Sequence, residues 1–309
     1  MEKKGPIVHW DEVEKKNRTA GEIASTWTPL GEAAGTVHAG MRRIQMDEGK
    51  RSTAFHVHGA EEEIFFVLGG RGVLYQGSSS CEVGPGDCVV HLPATVPHSL
   101  RGGAGGLDVV VFGTRVPVEI CWLPRAGMAW AGPTVVAAPG LQNLWEKDAA
   151  NAPLDLPSGA RPANLVSVES VAATVVERPG RKVTWRRLGS AAGAVRSGLN
   201  HITLAPGSLG APAHCHSAEE EIFVVLEGDG VCTIGDQEHP VRRGHVVSRP
   251  AGTGIAHSFK AGPAGLTYLA YGTREPNDIT YYPRSNKIFF RGVGVIGRIE
   301  RLDYWDGEE

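Results

Sequence analysis

The sequence predicts an all-β protein built from two similar barrels or sandwiches in tandem. Three observations predict it. Glycine (41) and proline (20) are abundant among 309 residues without forming low-complexity tracts, which favours many short strands joined by tight turns. The apolar runs are aromatic and β-branched and end near glycine, as in "EIFFVLGG" (63–70) and "EIFVVLEG" (221–228), while the i, i+3, i+4, i+7 spacing of an amphipathic helix is missing around them. A long stretch of the chain is also written twice.

The duplication is specific. "WTPLGEAAGTVHAGM" from Trp27 has its counterpart in "WRRLGSAAGAVRSGL" from Trp185. The pairs Trp27/Trp185, Leu30/Leu188, Gly35/Gly193, Gly40/Gly198, Ile44/Ile202 and Gly49/Gly207 keep one offset of 158 positions. Further on, "FGTRVPVEICWLPR" from Phe112 matches "YGTREPNDITYYPR" from Tyr271 at an offset of 159. A period of that length is far beyond a solenoid unit and marks a duplicated domain. The boundary falls in "DAANAPLDLPSGARP" (148–162), where small residues and prolines replace the apolar pattern, giving domains 1–150 and 151–309.

Composition excludes several function classes. The formal net charge of −3 offers no basic surplus of the kind that binds nucleic acid. No apolar run approaches the roughly 20 residues of a membrane helix. The start, "MEKKGPIVHW", lacks the apolar core of a secretory signal, so the cytoplasm is the expected location. Cys81, Cys88, Cys121, Cys215 and Cys232 form an odd, scattered set that predicts no disulfide framework.

The chemistry concentrates in "FHVHGAEEEIFFVLGG" (55–70) and its copy "AHCHSAEEEIFVVLEG" (213–228). Side chains alternate along a strand, so His56 and His58 point to one side, as do His214 and His216, with Cys215 turned away into the core. After a tight turn, a carboxylate opening the next strand, Glu63 or Glu221, can face the same point. "LPATVPHSL" supplies His98 and "RPAGTGIAHSF" supplies His257 as a fourth donor in each copy. A lone H-x-H on a strand is more often a surface pair, and a glutamate run is more often solvated. The same four residues in the same order, in two copies whose loops have changed length, argue instead for a divalent transition metal (Fe, Mn, Ni, Cu or Zn), one per barrel.

These motifs make the chain resemble the cupin superfamily in its two-barrel, or bicupin, form. The first cupin motif, H-x-H, three or four residues, E, six residues, G, fits His56, His58, Glu63 and Gly70, and again His214, His216, Glu221 and Gly228. The second motif, a Gly-Asp turn, a short strand, a proline and a histidine, fits Pro85, Gly86, Asp87, Pro93 and His98. The second copy keeps Gly244, Pro250 and His257 but has His245 where Asp is usual. The resemblance covers residues 25–125 and 183–285. It implies two double-stranded β-helix (jelly-roll) barrels with the metal inside and open coordination positions. It also implies that Glu62 and Glu220 point out of their barrels, leaving Glu61 and Glu62 to solvent or the turn.

Other residues are candidates of lower rank. Arg43 and His201 hold matched positions before the first motif and would contact substrate if that face looks inward. His91, with Ser248 as its counterpart, is a substrate-binding or structural histidine. Arg115 and Arg274, in the repeated Gly-Thr-Arg, predict a structural ion pair at a strand end. The tail "RLDYWDGEE" is apolar enough to predict packing on a barrel or a subunit partner. A centre of three histidines and a glutamate leaves positions for substrate or oxygen. As in cupin dioxygenases, that arrangement predicts oxidative cleavage of a small aromatic or oxygenated acid. Metal-dependent decarboxylation or isomerisation, and non-catalytic binding of a sugar or other small molecule, are the alternatives. Small-molecule substrates, no nucleic acid, no membrane and association into a homo-oligomer complete the expectation.

Overall fold

The computed structural model describes residues 5–132 and 144–308. Each copy folds as an antiparallel barrel. In barrel one the main sheet runs Leu165–Ser167, Asp87–His91, Glu63–Gln76, His98–Thr114, Ala39–Met46, Ile23–Thr28 and Lys16–Ala20, with Ser79–Val83 beside Glu63–Gln76. In barrel two the order is Ile7–His9, His245–Arg249, Glu221–Ile234, His257–Thr273, Ser197–Leu204, Arg181–Arg186 and Thr174–Arg178, with Gln237–Arg242 beside Glu221–Ile234. A small second sheet carries each H-x-H segment, Val57–His58 against Ile120–Leu123 and Cys215–His216 against Ile279–Tyr282.

The long strands Glu63–Gln76 and Glu221–Ile234 bend sharply part-way, with register shifts between Val67 and Gly72 and between Val225 and Gly230. The glycine that closes the first motif makes this bend. Gly70 and Gly228 have φ of 77° and 73°, and a Cβ there would lie 2.2 Å from Gly106 O or 2.1 Å from Gly265 O. Only glycine fits both the dihedral and the approach.

The barrels exchange edge strands. Ile7–His9, from the N-terminal end, pairs with His245–Arg249 of barrel two, and Leu165–Ser167, from the inter-domain segment, pairs with Asp87–His91 of barrel one. That segment runs closely along barrel one: Ser80 N donates to Pro157 O, Gly159 N to Ser80 O, and Leu154 is buried. Each barrel has its own apolar filling, around Ile44, Phe65 and Val109 in one and Ile202, Phe223 and Val247 in the other. A third cluster joins their outer faces, including Met41, Ile64, Phe66, Val110, Leu199, Ile222, Val224 and Leu269, with Phe112 and Tyr271 stacked at 5.1 Å.

Glu62 and Glu220 do leave their barrels, but not for solvent or a turn. Both are fully buried. Glu220 accepts the backbone N–H groups of Val37, His38 and Ala39, and Glu62 accepts those of Val195, Arg196 and Ser197 together with the Ser197 hydroxyl. Two expectations about other segments are also corrected. Among the described residues Arg115 and Arg274 make no salt bridge, and Arg274 donates instead to Ser190 Oγ at 2.6 Å. Leu302, Tyr304 and Trp305 of the tail do not pack on a barrel: they are exposed, the small sheet of barrel two ends at Val295–Arg298 and no described part of the chain folds back over them, which leaves a subunit partner as the expectation. All five cysteines are buried and free. Among the described residues no helix is long and apolar enough to cross a membrane.

Candidate metal centres

The two clusters match almost distance for distance. In barrel one, Glu63 Oε2 lies 3.9 Å from His56 Nε2, 3.2 Å from His58 Nε2 and 3.1 Å from His98 Nε2. In barrel two, Glu221 Oε2 lies 3.7 Å from His214 Nε2, 3.3 Å from His216 Nε2 and 3.1 Å from His257 Nε2. Backbone pairing builds this convergence. His56 bridges His98 and His214 bridges His257 across neighbouring segments, so imidazoles distant in sequence meet side by side. Ring centroids are 4.7 Å apart for His56 and His98 and 4.6 Å apart for His214 and His257.

The far nitrogens are held. His56 Nδ1 meets Ala54 O at 2.8 Å and His214 Nδ1 meets Pro212 O at 2.8 Å. Such contacts fix the tautomer that leaves Nε2 free to ligate. Behind His58 and His216 stand carboxylates that the sequence reading missed: Glu119 Oε1 is 3.4 Å from His58 Nδ1, and Asp278 Oδ2 is 2.7 Å from His216 Nδ1. Both carboxylates also accept consecutive backbone N–H groups of the turn after H-x-H, from Gly59, Ala60 and Glu61 or from Ala218 and Glu219. They therefore lock the turn and the imidazole together.

The donor set fits a cation. In barrel two, His216 Nε2, His257 Nε2 and Glu221 Oε2 are buried without a hydrogen-bond partner among the described residues, although they face one another. Three buried donor atoms that have only one another, converging on one point, are an arrangement that an ion completes. His56, Glu63 and His98, and likewise His214, Glu221 and His257, present donor atoms all within 4.8 Å of one another. Each barrel thus carries a His/Glu cluster able to hold a divalent transition metal.

Electrostatics divide each cluster unevenly. Burial, with the neighbouring imidazoles, pushes His56 down to about 3, and burial pushes His214 down to about 4. Burial opposes charging of His58 and His216 too. Glu63 and Glu119 outweigh it and raise His58 to about 10, and Asp278 and Glu221 raise His216 to about 9. Glu63 and Glu221 sit well below the usual carboxylate range: their burial opposes this, and the facing histidines overcome it.

Two of the three remaining sequence candidates lie elsewhere. Arg43 faces Val110 and His201 faces Leu269 across their strand pairs, and both partners belong to the cluster between the barrels. Strand parity therefore turns Arg43 and His201 out of the chambers. Arg43 forms a two-pronged pair with Asp108 at 3.0 and 2.7 Å under Trp10. His201 lines a cavity of about 350 Å³ between the barrels, away from either cluster. The arginine on the inward parity is Arg42, opposite Val111, with its guanidinium over Trp27. Its counterpart Asn200 lines a cavity of about 250 Å³ at the end of barrel two that reaches Glu221, beside Trp185, Arg274 and Arg291.

His91 does face the barrel-one chamber, directly opposite Glu63. It stacks on His98 with centroids 3.6 Å apart and planes 5° apart, and its Nε2 meets Gln76 Oε1 at 3.1 Å. Its counterpart is Arg249, which lies opposite Glu221, and not Ser248. The first copy has one residue, Leu92, between this strand and its proline where the second copy has none, so matching the prolines misplaces the pair.

A cupin domain matches residues 42–112 and again 200–265, so each match contains one whole cluster. The protein is a two-barrel cupin. No curated protein matches the sequence. Among solved structures, this two-barrel cupin is similar to a variant of Bacillus subtilis oxalate decarboxylase at 15% identity and a TM-score of 0.59, covering 86% of this chain and 76% of that one. It is also similar to Lactobacillus farciminis oxalate decarboxylase in a formate complex, at 12% identity and a TM-score of 0.59, covering 86% and 85%. Another structure of the Bacillus enzyme, at 14% identity, a TM-score of 0.59 and coverage of 86% and 76%, concerns its Mn(II) centres. These likenesses show the fold. They give no support to the dioxygenase expectation.

Proposed function

We propose that this two-barrel cupin is a divalent-metal enzyme that binds a small carboxylic acid and releases carbon dioxide. The observation that carries the reading is the pair of three-histidine, one-glutamate clusters, each enclosed in an apolar barrel. His56, His58, Glu63 and His98 would hold one ion and His214, His216, Glu221 and His257 the other. A bound ion would supply Lewis acidity, drawing in a carboxylate and stabilising the charge left behind when carbon dioxide departs. Glu119 and Asp278 keep His58 and His216 oriented while this happens. Phe65, Val67, Phe223 and Val225 line the interiors and keep bulk water away.

The neighbouring oxalate decarboxylases support decarboxylation over the oxidative cleavage that the donor set equally permits, and Mn(II) is the favoured metal by the same likeness. The substrate is a small molecule. The test is a screen of metal-loaded protein against oxalate and small keto- and hydroxy-acids, following carbon dioxide release and oxygen uptake together. Release without oxygen consumption supports the reading. Oxygen uptake in step with turnover would return the assignment to a dioxygenase.

A further inference from the structure

Arg249 stands directly opposite Glu221 on the neighbouring antiparallel strand. Residues so paired project to the same face of the sheet with Cα atoms about 5 Å apart, and the face of Glu221 is the metal chamber. The side chain is 7% exposed. Its Nη2 donates to Ile255 O at 2.7 Å and Thr253 Oγ1 at 3.4 Å, both in the loop that leads into His257. Its Nε is buried and has no partner among the described residues. A guanidinium held by neutral oxygens, with a spare buried donor, is a costly arrangement that an anion would complete. Glu221 would not provide that anion once its charge is committed to a metal.

Barrel one treats the same position differently. His91 replaces Arg249, stacks flat on His98 and is tied to Gln76, which in turn exchanges hydrogen bonds with Asn164. Ile234 takes the place of Gln76 in barrel two, opposite His257. One chamber is thus closed by a packed ring and an amide network, and the other keeps a buried cation with a free donor.

We propose that Arg249 makes barrel two the carboxylate-binding centre, holding an oxygen of a small mono- or dicarboxylate beside the Glu221 cluster. This deepens the proposed function and rests on its metal assignment. Arg42 in barrel one is not equivalent: its guanidinium lies over Trp27 in a side chain open to solvent.

The test uses the full chain loaded with Mn(II) and acetate as the probe. His58→Ala leaves the barrel-two ion and His216→Ala leaves the barrel-one ion, each followed by Mn(II) paramagnetic resonance. Acetate is expected to change the spectrum of the His58→Ala protein and not that of His216→Ala. Adding Arg249→Gln to His58→Ala should weaken acetate binding by about tenfold or more with metal content unchanged. If Arg249→Gln fails to fold or to load metal, Arg249→Lys decides, because it keeps the charge but removes Nε: weaker binding supports the assignment and unchanged binding contradicts it. An equal acetate response in barrel one, or unchanged affinity in Arg249→Gln, would overturn the proposal. An Arg249-dependent acetate response without carbon dioxide release from any acid would support Arg249 and overturn the reaction class. Release without any acetate response would overturn Arg249 alone.

Discussion

Glu62 and Glu220 are the same residue in the two copies, and each is buried in the backbone of the other copy. Glu62 accepts three consecutive N–H groups of residues 195–197, and Glu220 accepts three of residues 37–39. Each immediately precedes a cluster carboxylate, Glu63 or Glu221. This contact between the barrels is therefore one peptide bond away from each candidate ligand carboxylate.

Removing either carboxylate leaves buried N–H groups without acceptors. Glu62→Ala or Glu220→Ala should destabilise the protein by about 3–5 kcal/mol, with Glu62→Gln costing less because it keeps the shape and an acceptor oxygen. Denaturant melting of the three variants checks this. A loss within error of zero would mean that the latch contributes nothing.

Gly70 tests the bend that brings the first-motif strand across the barrel. An added methyl group would collide with Gly106 O and require a disfavoured dihedral. Gly70→Ala should cost at least about 3 kcal/mol, measured the same way, whereas Gly69→Ala, with open space around its Cβ position, should cost far less.

On the proposed assignment Glu119 and Asp278 orient the ligand histidines His58 and His216. Glu119→Gln and Asp278→Asn should each weaken metal binding in their own barrel by about 10–100-fold while leaving the other barrel unchanged. Competitive chelator titration of each variant reads this out. Equal weakening in both barrels would point to general damage to the fold.

The protonation pattern sets the pH dependence. His58 and His216 are raised to about 10 and about 9, so without metal their stabilising contribution is complete below the unfolded value of about 6.5 and is lost as pH rises through those values. His56 and His214 are lowered to about 3 and about 4, so theirs is present above about 6.5 and is lost as pH falls. The melting temperature of metal-free protein should therefore fall on both the acid and the alkaline side. At neutral pH an ion must displace the protons on His58 and His216, so binding should release about one proton per site and tighten with pH. Calorimetry in buffers of different ionisation enthalpy measures that release.

The candidate donor residues were legible because their spacing is local: H-x-H, a turn and a strand-opening glutamate lie within eight residues, and the duplication repeats them. What failed was parity and distance. The residues alone left the facing of Arg43 open; pairing with Val110 turns it out and gives Arg42 the inward parity, a one-residue distinction that needs the sheet register. Ser248 was matched to His91 by proline alignment, but Leu92 has no counterpart before Pro250, and the place belongs to Arg249. Glu119 and Asp278 occupy one matched acidic position of "VPVEICWLPR" and "EPNDITYYPR", a visible signal, but nothing local says that this strand folds against the H-x-H turn. The partners of Glu62 lie 133–135 positions away, beyond any pattern a single copy can show.

On the proposed assignment each barrel holds its own ion through its own histidines. Metal analysis of protein purified without chelator tests it most directly, for the wild type, His58→Ala, His216→Ala and the double variant. Two ions per chain, falling to one in either single variant and to none in the double, is the predicted result. A metal content unchanged by both substitutions together would contradict it.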